Sequence, residues 1–432
     1  MPRLLLDIAP LRESPQFRRL WVGSTLSAIG TSLTGFAVTL QVYNLTRSPF
    51  AVGVIGLAQL IPLLVVGAVG GPLLDTADRR KVMLITSFGL AATSAAFAAQ
   101  AFADAGQLWL LYGLAAVQAG LGALSRPLRS TFVPSLLSPG QVQAGLALNT
   151  MTSSIMLVIG PALAGIITGT SHLGLRGCYL IDTLTFVASL YGIARLPTMA
   201  PAAGAGQAGL RAAAEGFAFI RGNKVLMGAF LADLNVTVFA FPIVLFPAIN
   251  AERFRGDPRT LGFFLASFGF GTLVAMAFSG SLKHISRQGR AMLCTIAVTG
   301  AAFVGFALVR GLWPTLGMLA IAGAADSLTI VLRSTMVATA APEHIRGRVM
   351  ATDFMVAAGG GQVGSLESGA LGSLTSPVIS AFAGGLVTVA GTLVIGLALP
   401  AFTRYRHHLP AETAPAAGPS PAAGPSPAAV AD

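Results

Sequence analysis

Long runs of apolar residues recur along the chain, and each is bounded by charged residues, proline or glycine. A membrane-spanning helix needs about 20 apolar residues, whereas a membrane β-strand needs about 10 residues of alternating character. These runs are continuous, so they predict helices. Twelve spans are predicted, at roughly 20–44, 51–74, 82–103, 108–128, 145–170, 175–196, 225–249, 260–282, 290–309, 313–333, 349–373 and 377–401.

The composition agrees with this pattern. Of the 432 residues, 54% are hydrophobic and only 10% are charged, and the mean hydropathy is +0.75. A soluble domain carries about 25% charged residues, so this chain has too few of them to cover a surface that faces water. The chain is therefore predicted to be an all-α polytopic membrane protein with 12 transmembrane helices.

Two segments depart from the pattern of spans. The long connection between the sixth and seventh spans contains the stretch LRAAAEGFAFIRGNK, whose Leu210, Phe217 and Phe219 predict a short surface helix. The tail repeats Pro, Ala, Gly and Ser, a composition that predicts disorder. The predicted organisation is a cytoplasmic N-terminus (1–19), an N-terminal six-helix bundle (20–196), a cytoplasmic connector (197–224), a C-terminal six-helix bundle (225–402) and a disordered cytoplasmic tail (403–432).

The charge balance predicts the orientation of the chain. It carries 27 Lys and Arg against 16 Asp and Glu, a net charge of +11, which in a soluble protein would suggest nucleic-acid binding. With the N-terminus in the cytoplasm, 21 of these cations fall on the cytoplasmic side of the spans and 6 on the outer side. The positive-inside rule then places both termini of a multi-pass inner or plasma membrane protein in the cytoplasm. No nucleic-acid partner is predicted, and no cation remains for the middle of a span.

The chain also contains an internal repeat. Arg129-Ser-Thr-Phe-Val recurs 204 residues later as Arg333-Ser-Thr-Met-Val. The same offset relates Asn149 to Asp353, Gly160 to Gly364, and Gly165 to Gly369. Each pair falls in corresponding spans of the two halves, which predicts two pseudo-symmetric six-helix bundles around a central cavity. This is the construction of a secondary transporter.

The stretch that follows the second span reads GPLLDTADRRK, from Gly71 to Lys81. It resembles the signature G-x-L-x-D-R-x-G-R-R/K of the major facilitator superfamily, with departures at Thr76 and Asp78. The segments WVGSTLSAIG, SPFAVGVIGLAQLIP, AAPEHIRGRVMA and LFPAIN resemble the branch that contains siderophore and macrolide exporters. The resemblance spans residues 15–402 and implies the major facilitator fold.

The resemblance also implies a conformational latch on the cytoplasmic side. Its residues would be Gly71, Asp75, Arg79 and Arg80, joined by Arg129, Arg333 and Asp353. The two repeated arginines are expected to make equivalent contacts, with Asp75 or with carbonyl groups at helix ends. The alternatives are a turn whose charges only set orientation, and arginines that reach the membrane surface.

A second pattern lies in the fifth span. Gly160-Pro161 with Gly165 resembles the G-P-x-x-G pattern of exporters in the family. Proline removes a hydrogen bond within the helix and favours a bend, while glycine permits close helix packing. The pattern favours export, and an ordinary transmembrane kink is the alternative.

Acidic residues within predicted spans are the candidates for transport chemistry. Such residues are costly in a membrane and by default functional. Four are found: Asp182, Asp233, Asp326 and Glu367. Without a cation in mid-span, a buried carboxyl group is expected to be protonated part of the time, as proton coupling requires. Asp233 and Glu367 are the favoured candidates, because Asp182 lies towards the outer edge and Asp326 can pair with Arg333.

Several other chemistries have no support in the sequence. It contains no GxxxxGK[ST], GxSxG or HExxH motif, and Cys178 and Cys294 are isolated. We therefore predict no enzyme, no metal site and no cofactor. The predicted function is export of a small organic molecule, a siderophore or an amphipathic drug-like compound, by a monomer that alternates access and exchanges its substrate for protons. The alternatives are a nutrient importer of the same fold and a transporter-like sensor.

Overall fold

The computed structural model describes residues 7–76, 78–170, 173–196, 210–240, 242–278, 280 and 285–405, and no strand occurs in these ranges. The long helices within them, numbered in chain order, are α1 (Pro15–Thr46), α2 (Pro49–Thr76), α3 (Arg79–Phe102), α4 (Leu108–Leu136), α5 (Val142–Thr168), α6 (Gly174–Ala194), α7 (Lys224–Phe239), α8 (Pro258–Phe278), α9 (Gln288–Leu308), α10 (Leu312–Ala340), α11 (Glu343–Leu374) and α12 (Pro377–Ala398).

Short helices accompany these long ones. Ala9–Glu13 precedes α1, Pro400–Thr403 follows α12, and Leu210–Gly222, the connector helix, precedes α7. The predicted seventh span is not one continuous helix, because α7 is followed by a 3₁₀ turn at Pro242–Leu245 and a second helix at Phe246–Arg253. Pro242 begins the turn and lacks the N–H group that a continuing α-helix would use.

Eleven stretches in the described part of the chain are long and apolar enough to cross a membrane. They correspond to every predicted span except the eleventh. That span forms α11, a helix of 32 residues whose composition is less apolar because it carries Gln362, Glu367 and several glycines. α11 packs on α2, α7 and α12, so much of its surface contacts protein rather than lipid.

The long helices form the two predicted bundles. In the first, α1 packs on α5 and α6, α2 packs on α4, and α6 packs on α3. In the second, α10 packs on α8 and α9, and α12 packs on α9 and α7. The all-α architecture of two pseudo-symmetric bundles, predicted from hydropathy and the internal repeat, is therefore confirmed.

Glycine contacts join the two bundles at the end that carries the short loops 47–48, 254–257 and 375–376. Between α2 and α11, a Cβ atom on Gly53 would lie 2.6 Å from the carbonyl oxygen of Ser365. Between α5 and α8, a Cβ atom on Gly262 would lie 2.7 Å from the carbonyl oxygen of Pro161 and 2.9 Å from the Cα atom of Gly165. Only residues without a side chain allow helix backbones to approach this closely.

The contact between α5 and α8 can be tested by adding one methyl group at Gly262. We expect Gly262→Ala to lower the free energy of unfolding by about 1–3 kcal/mol, because the added Cβ would overlap backbone atoms of α5. The measurement is thermal unfolding of the purified protein in detergent. Gly317→Ala in α10 is the matched control, since no atom lies within 4 Å of its added Cβ. Equal unfolding temperatures for the two variants would contradict the packing.

Candidate functional site

A cluster of buried charges joins α7, α10 and α11. The Nη1 atom of Arg333 lies 3.0 Å from Oδ2 of Asp233 and 3.0 Å from Oδ1 of Asp353. The side chains of Arg333, Asp233 and Asp353 are only 6%, 3% and 13% exposed. One guanidinium group therefore binds carboxylates from two neighbouring helices in the interior of the C-terminal bundle.

Asp326 is the fourth member of this charge cluster. It lies two turns before Arg333 on α10, about 10 Å along the helix axis and on the same face. Asp326 is within electrostatic range of both Asp233 and Arg333, and its side chain is partly buried. Asp326 is less buried than Asp233 and Arg333. Asp326 therefore lies at the edge of the charge cluster.

The charge cluster holds more negative than positive charge. Its described members are three carboxyl groups and the single guanidinium group of Arg333. Charges interact strongly where water is scarce, and an uncompensated charge there is costly. The guanidinium group balances the charge of one carboxylate, so a proton or another cation can neutralise the remaining negative charge. No three His, Cys, Asp or Glu side chains in the described ranges are grouped as metal ligands.

This arrangement differs from the pairing that the sequence suggested. Arg333 was expected to contact Asp326 or Asp75, and Asp233 was expected to have no cation nearby, but the structure pairs Arg333 with Asp233 and Asp353. The reason is that the helices extend beyond the apolar runs. α10 continues to Ala340, which places Arg333 two turns inside the helix. The repeat of Arg129 as Arg333 was the sequence signal for this position.

The N-terminal bundle contains a counterpart of this contact. Nη1 of Arg129 in α4 donates to the hydroxyl oxygen of Ser27 in α1, at 3.1 Å. Arg333 in α10 makes the corresponding contact with Asp233 in α7. The pseudo-symmetry therefore extends to the arginines, and Asp353 in α11 takes the place of Asn149 in α5.

Asp182 lies in a separate network of hydrogen bonds. The hydroxyl groups of Thr34 in α1 and Ser94 in α3 both donate to its Oδ2 atom, at 2.6 Å each. Its side chain is fully buried. Asp182, which was expected towards the outer edge, lies about 12 Å along α6 from the first residue of that helix. Asp182 therefore links three helices of the N-terminal bundle.

A second set of polar side chains extends this network. The amide groups of Gln41 and Gln100 donate to each other at 3.1 Å, and the hydroxyl of Tyr179 donates to Oε1 of Gln41 at 2.6 Å. These residues again connect α1, α3 and α6. The described hydrogen bonds of Asp182, Gln41 and Gln100 thus come from neutral hydroxyl and amide groups.

Glu367 is remote from the charge cluster. It lies 14 residues after Asp353, about 21 Å along α11. Its side chain is partly buried and accepts a hydrogen bond from the hydroxyl of Ser368 at 3.3 Å. The structure therefore separates the two favoured acids, Asp233 and Glu367, and brings Asp233 together with Asp326 and Asp353 instead.

The predicted latch is described in part. Gly71 and Asp75 are described only as helical residues of α2, and the side chain of Asp75 lies outside the described part of the chain. Asp78, a departure from the signature, caps the N-terminus of α3 by accepting from the backbone N–H of Arg80 at 2.9 Å, and aspartate is a favoured residue there. Arg80 donates to the carbonyl oxygen of Ala194 at the end of α6, at 2.6 Å. The latch itself stays a prediction.

The helix-5 pattern lies where α5 meets two other helices. Pro161 sits inside α5, which continues through it as one helix. A Cβ atom on Gly160 would lie 2.7 Å from the hydroxyl oxygen of Ser32 in α1, and Gly165 meets Gly262 of α8. The pattern therefore permits close packing within the N-terminal bundle and between the bundles.

These features define a polytopic membrane protein with a charged interior and two bundles in close contact. The chain matches the family described as transmembrane secretion effector over residues 6–419. The protein belongs to this family of the major facilitator superfamily.

Curated relatives place it near known exporters. It is 27% identical over 422 residues to enterobactin exporters of Shigella boydii serotype 18 and Escherichia coli O1:K1. Each alignment covers 95% of this chain and 98% of the relative. The branch of the superfamily identified from the sequence is therefore confirmed.

Solved structures share the fold. The nucleoside transporter NupG superposes with a TM-score of 0.72 at 14% identity, over 90% of this chain and 99% of that chain. A bacterial homologue of the iron transporter ferroportin, in an inward-facing state, gives a TM-score of 0.68 at 16% identity, over 90% and 98% of the two chains. At these identities the likeness shows the major facilitator fold alone.

The buried ion pairs predict a large effect of Arg333→Gln on stability. Removing one partner of a buried pair leaves an uncompensated charge and costs about 3–5 kcal/mol. Arg348→Gln is the matched control, because Arg348 pairs with Glu215 at the surface, where both side chains are more than 40% exposed, and such pairs contribute about 0–1 kcal/mol. Thermal unfolding in detergent measures both. Similar losses for the two variants would contradict the buried cluster.

The network around Asp182 predicts that hydrogen bonding matters there more than charge. Asp182→Asn keeps a carbonyl oxygen that accepts from Thr34 and Ser94, so we expect little change in unfolding temperature. Asp182→Leu removes the acceptor and is expected to cost about 1–3 kcal/mol. If the asparagine variant were as unstable as the leucine variant, a negative charge would be required at this position.

Proposed function

We propose that the protein is a secondary active exporter of a small organic molecule. The observation that carries this proposal is the acid-rich charge cluster of Asp233, Asp326, Asp353 and Arg333 inside one bundle of a major facilitator chain. The similarity to enterobactin exporters over nearly the whole chain supports the direction of transport.

Protons are the proposed coupling ions. With one arginine for three carboxyl groups, the charge cluster can gain a proton without creating a new unpaired cation. Asp326 is the proposed site of entry, because its side chain is only partly buried, whereas those of Asp233 and Arg333 are buried. A proton gained there changes the charge that Arg333 has to balance, and with it the contacts among α7, α10 and α11.

Alternating access is proposed on the basis of the contacts between the bundles. Gly53, Gly165 and Gly262 bring backbones of opposite bundles together at one end. Few described side-chain hydrogen bonds cross here, such as those of Ser373 with Ser48 and with the backbone N–H of Phe50, so we propose that the bundles separate at this end while the helices within each bundle stay packed. Under the proposed orientation, with both termini in the cytoplasm, this end faces outward.

The division into bundles at 20–196 and 225–402 around the connector likewise stays a prediction.

The proposed substrate is a siderophore or an amphipathic drug-like compound, carried by a monomer. The named activity of the relatives supports the first, and the branch to which the chain belongs supports the second. Enterobactin and ethidium are therefore suitable test solutes for the two classes.

Transport in everted membrane vesicles tests the proposal. We expect uptake of a test solute into vesicles with an acidic interior, lost on addition of an uncoupler. Asp326→Asn, which cannot ionise, is expected to reduce this proton-driven uptake at least about tenfold. The variant is expected to keep the exchange of labelled for unlabelled solute when the solute concentration is equal on both sides of the membrane. Asp104→Asn is the control, because Asp104 is 80% exposed at the surface.

Other outcomes point to other functions. Proton-independent accumulation by whole cells down a solute gradient would favour a nutrient importer or facilitator, and binding by purified protein in liposomes without flux would favour a sensor. If Asp233→Asn, Asp326→Asn and Glu367→Gln all left pH-dependent transport intact, none of these acids would couple protons.

A further inference from the structure

The connector helix packs against the same three helices that form the charge cluster. Ile220 of this helix is 1% exposed. It is buried in a hydrophobic cluster with Phe230 of α7, Val337 of α10 and Val349 of α11. The connector helix is therefore attached to the C-terminal bundle at its base, close to where Arg333 bridges α7 and α11.

Gly216 brings the connector helix into direct contact with the backbone of α11. It lies one turn before Ile220, on the same face of the helix. A Cβ atom on Gly216 would lie 2.7 Å from the carbonyl oxygen of Arg348, and it would also overlap the hydroxyl oxygen of Thr352. A residue with a side chain therefore does not fit here unless the two helices move apart.

An ion pair between Glu215 and Arg348 flanks this contact. Both side chains are partly exposed, at 42% and 49%, and exposed pairs contribute at most about 1 kcal/mol. The glycine contact and the burial of Ile220 are therefore the main attachments of the connector helix to α11.

The attachment lies one residue away from the charge cluster. Thr352, which faces Gly216, precedes Asp353 in α11, and Asp353 lies 3.0 Å from Arg333. Electrostatic interactions between buried groups depend strongly on distance. A shift of this part of α11 would therefore change the contact of Asp353 with Arg333.

We propose that the connector helix is a positioning element for the charge cluster. Gly216 and Ile220 hold the first turns of α11 so that Asp353 meets Arg333. In the sequence, residues 197–209 join the connector helix to the segment that follows α6. The consequence for transport rests on the proposed function, whereas the positioning itself does not.

Hydrogen exchange tests the positioning without any transport assay. Gly216→Ala is expected to speed amide exchange in the segment 345–356 about tenfold, because the added methyl group separates the helices. Gly222→Ala, at the last residue of the same helix, is the control, since its Cβ would meet no atom within 4 Å. Unchanged exchange in Gly216→Ala, or an equal increase in the control, would overturn the proposal.

A combination with Asp353→Asn tests whether the connector helix acts through Asp353. In transport assays, Gly216→Ala is expected to shift the pH of half-maximal uptake, while Gly222→Ala does not. The shift should be absent when Asp353→Asn is already present, because the contact to be positioned has lost its charge. A shift of the same size in both backgrounds would overturn the proposal. If Asp353→Asn does not fold, Asp353→Glu, which moves the carboxylate, takes its place.

The two assays separate this proposal from the proposed function. If wild-type uptake proves independent of protons, proton coupling fails, and the unfolding temperatures of Gly216→Ala and Asp353→Asn, alone and combined, then decide the positioning. If the double variant loses less stability than the two single variants lose together, the positioning is supported. If the losses of stability simply add, the positioning is overturned.

Discussion

The contact of Arg333 with Asp233 and Asp353 is the interaction on which the C-terminal bundle depends. A guanidinium group cannot lose its charge in a membrane interior, so α10 requires carboxylates from its neighbours. α7 and α11 supply one each, and this fixes the mutual placement of three helices that are far apart in the chain. α11, which supplies Asp353, also packs on α2 and α12, so that its polar residues and glycines contact protein as well.

The two bundles differ in the polar contacts that they bury. In the N-terminal bundle, hydroxyl and amide groups surround Asp182, and Arg129 donates to the neutral Ser27. In the C-terminal bundle, the equivalent arginine binds carboxylates. The pseudo-symmetric helices thus place an arginine at the same position in both bundles, while the described partners of the two arginines differ.

The patterns of hydropathy and repetition were sufficient to predict most of the architecture. Each predicted span overlaps a long helix, and the 204-residue offset correctly indicated two related bundles. The errors have a common physical cause. The predicted tenth span ended at Arg333, but α10 continues past it because Arg333 pairs with Asp233 and Asp353 instead of meeting water. The break after α7 was missed because its hydrophobic composition does not change there, although Pro242 marks it.

The sequence by itself determined that this is a helical membrane protein of the major facilitator superfamily, because hydropathy, periodicity and short motifs are local properties of the chain. It also indicated the acids within the predicted spans as candidates, since a carboxylate in an apolar run is conspicuous. Only the tertiary structure decided which of these acids act together. Asp233 lies 100 residues from Arg333 in the chain, and no local pattern indicates which residues of distant helices face each other. Asp182 and Glu367 looked similar to Asp233 in sequence, and packing alone placed them in separate surroundings.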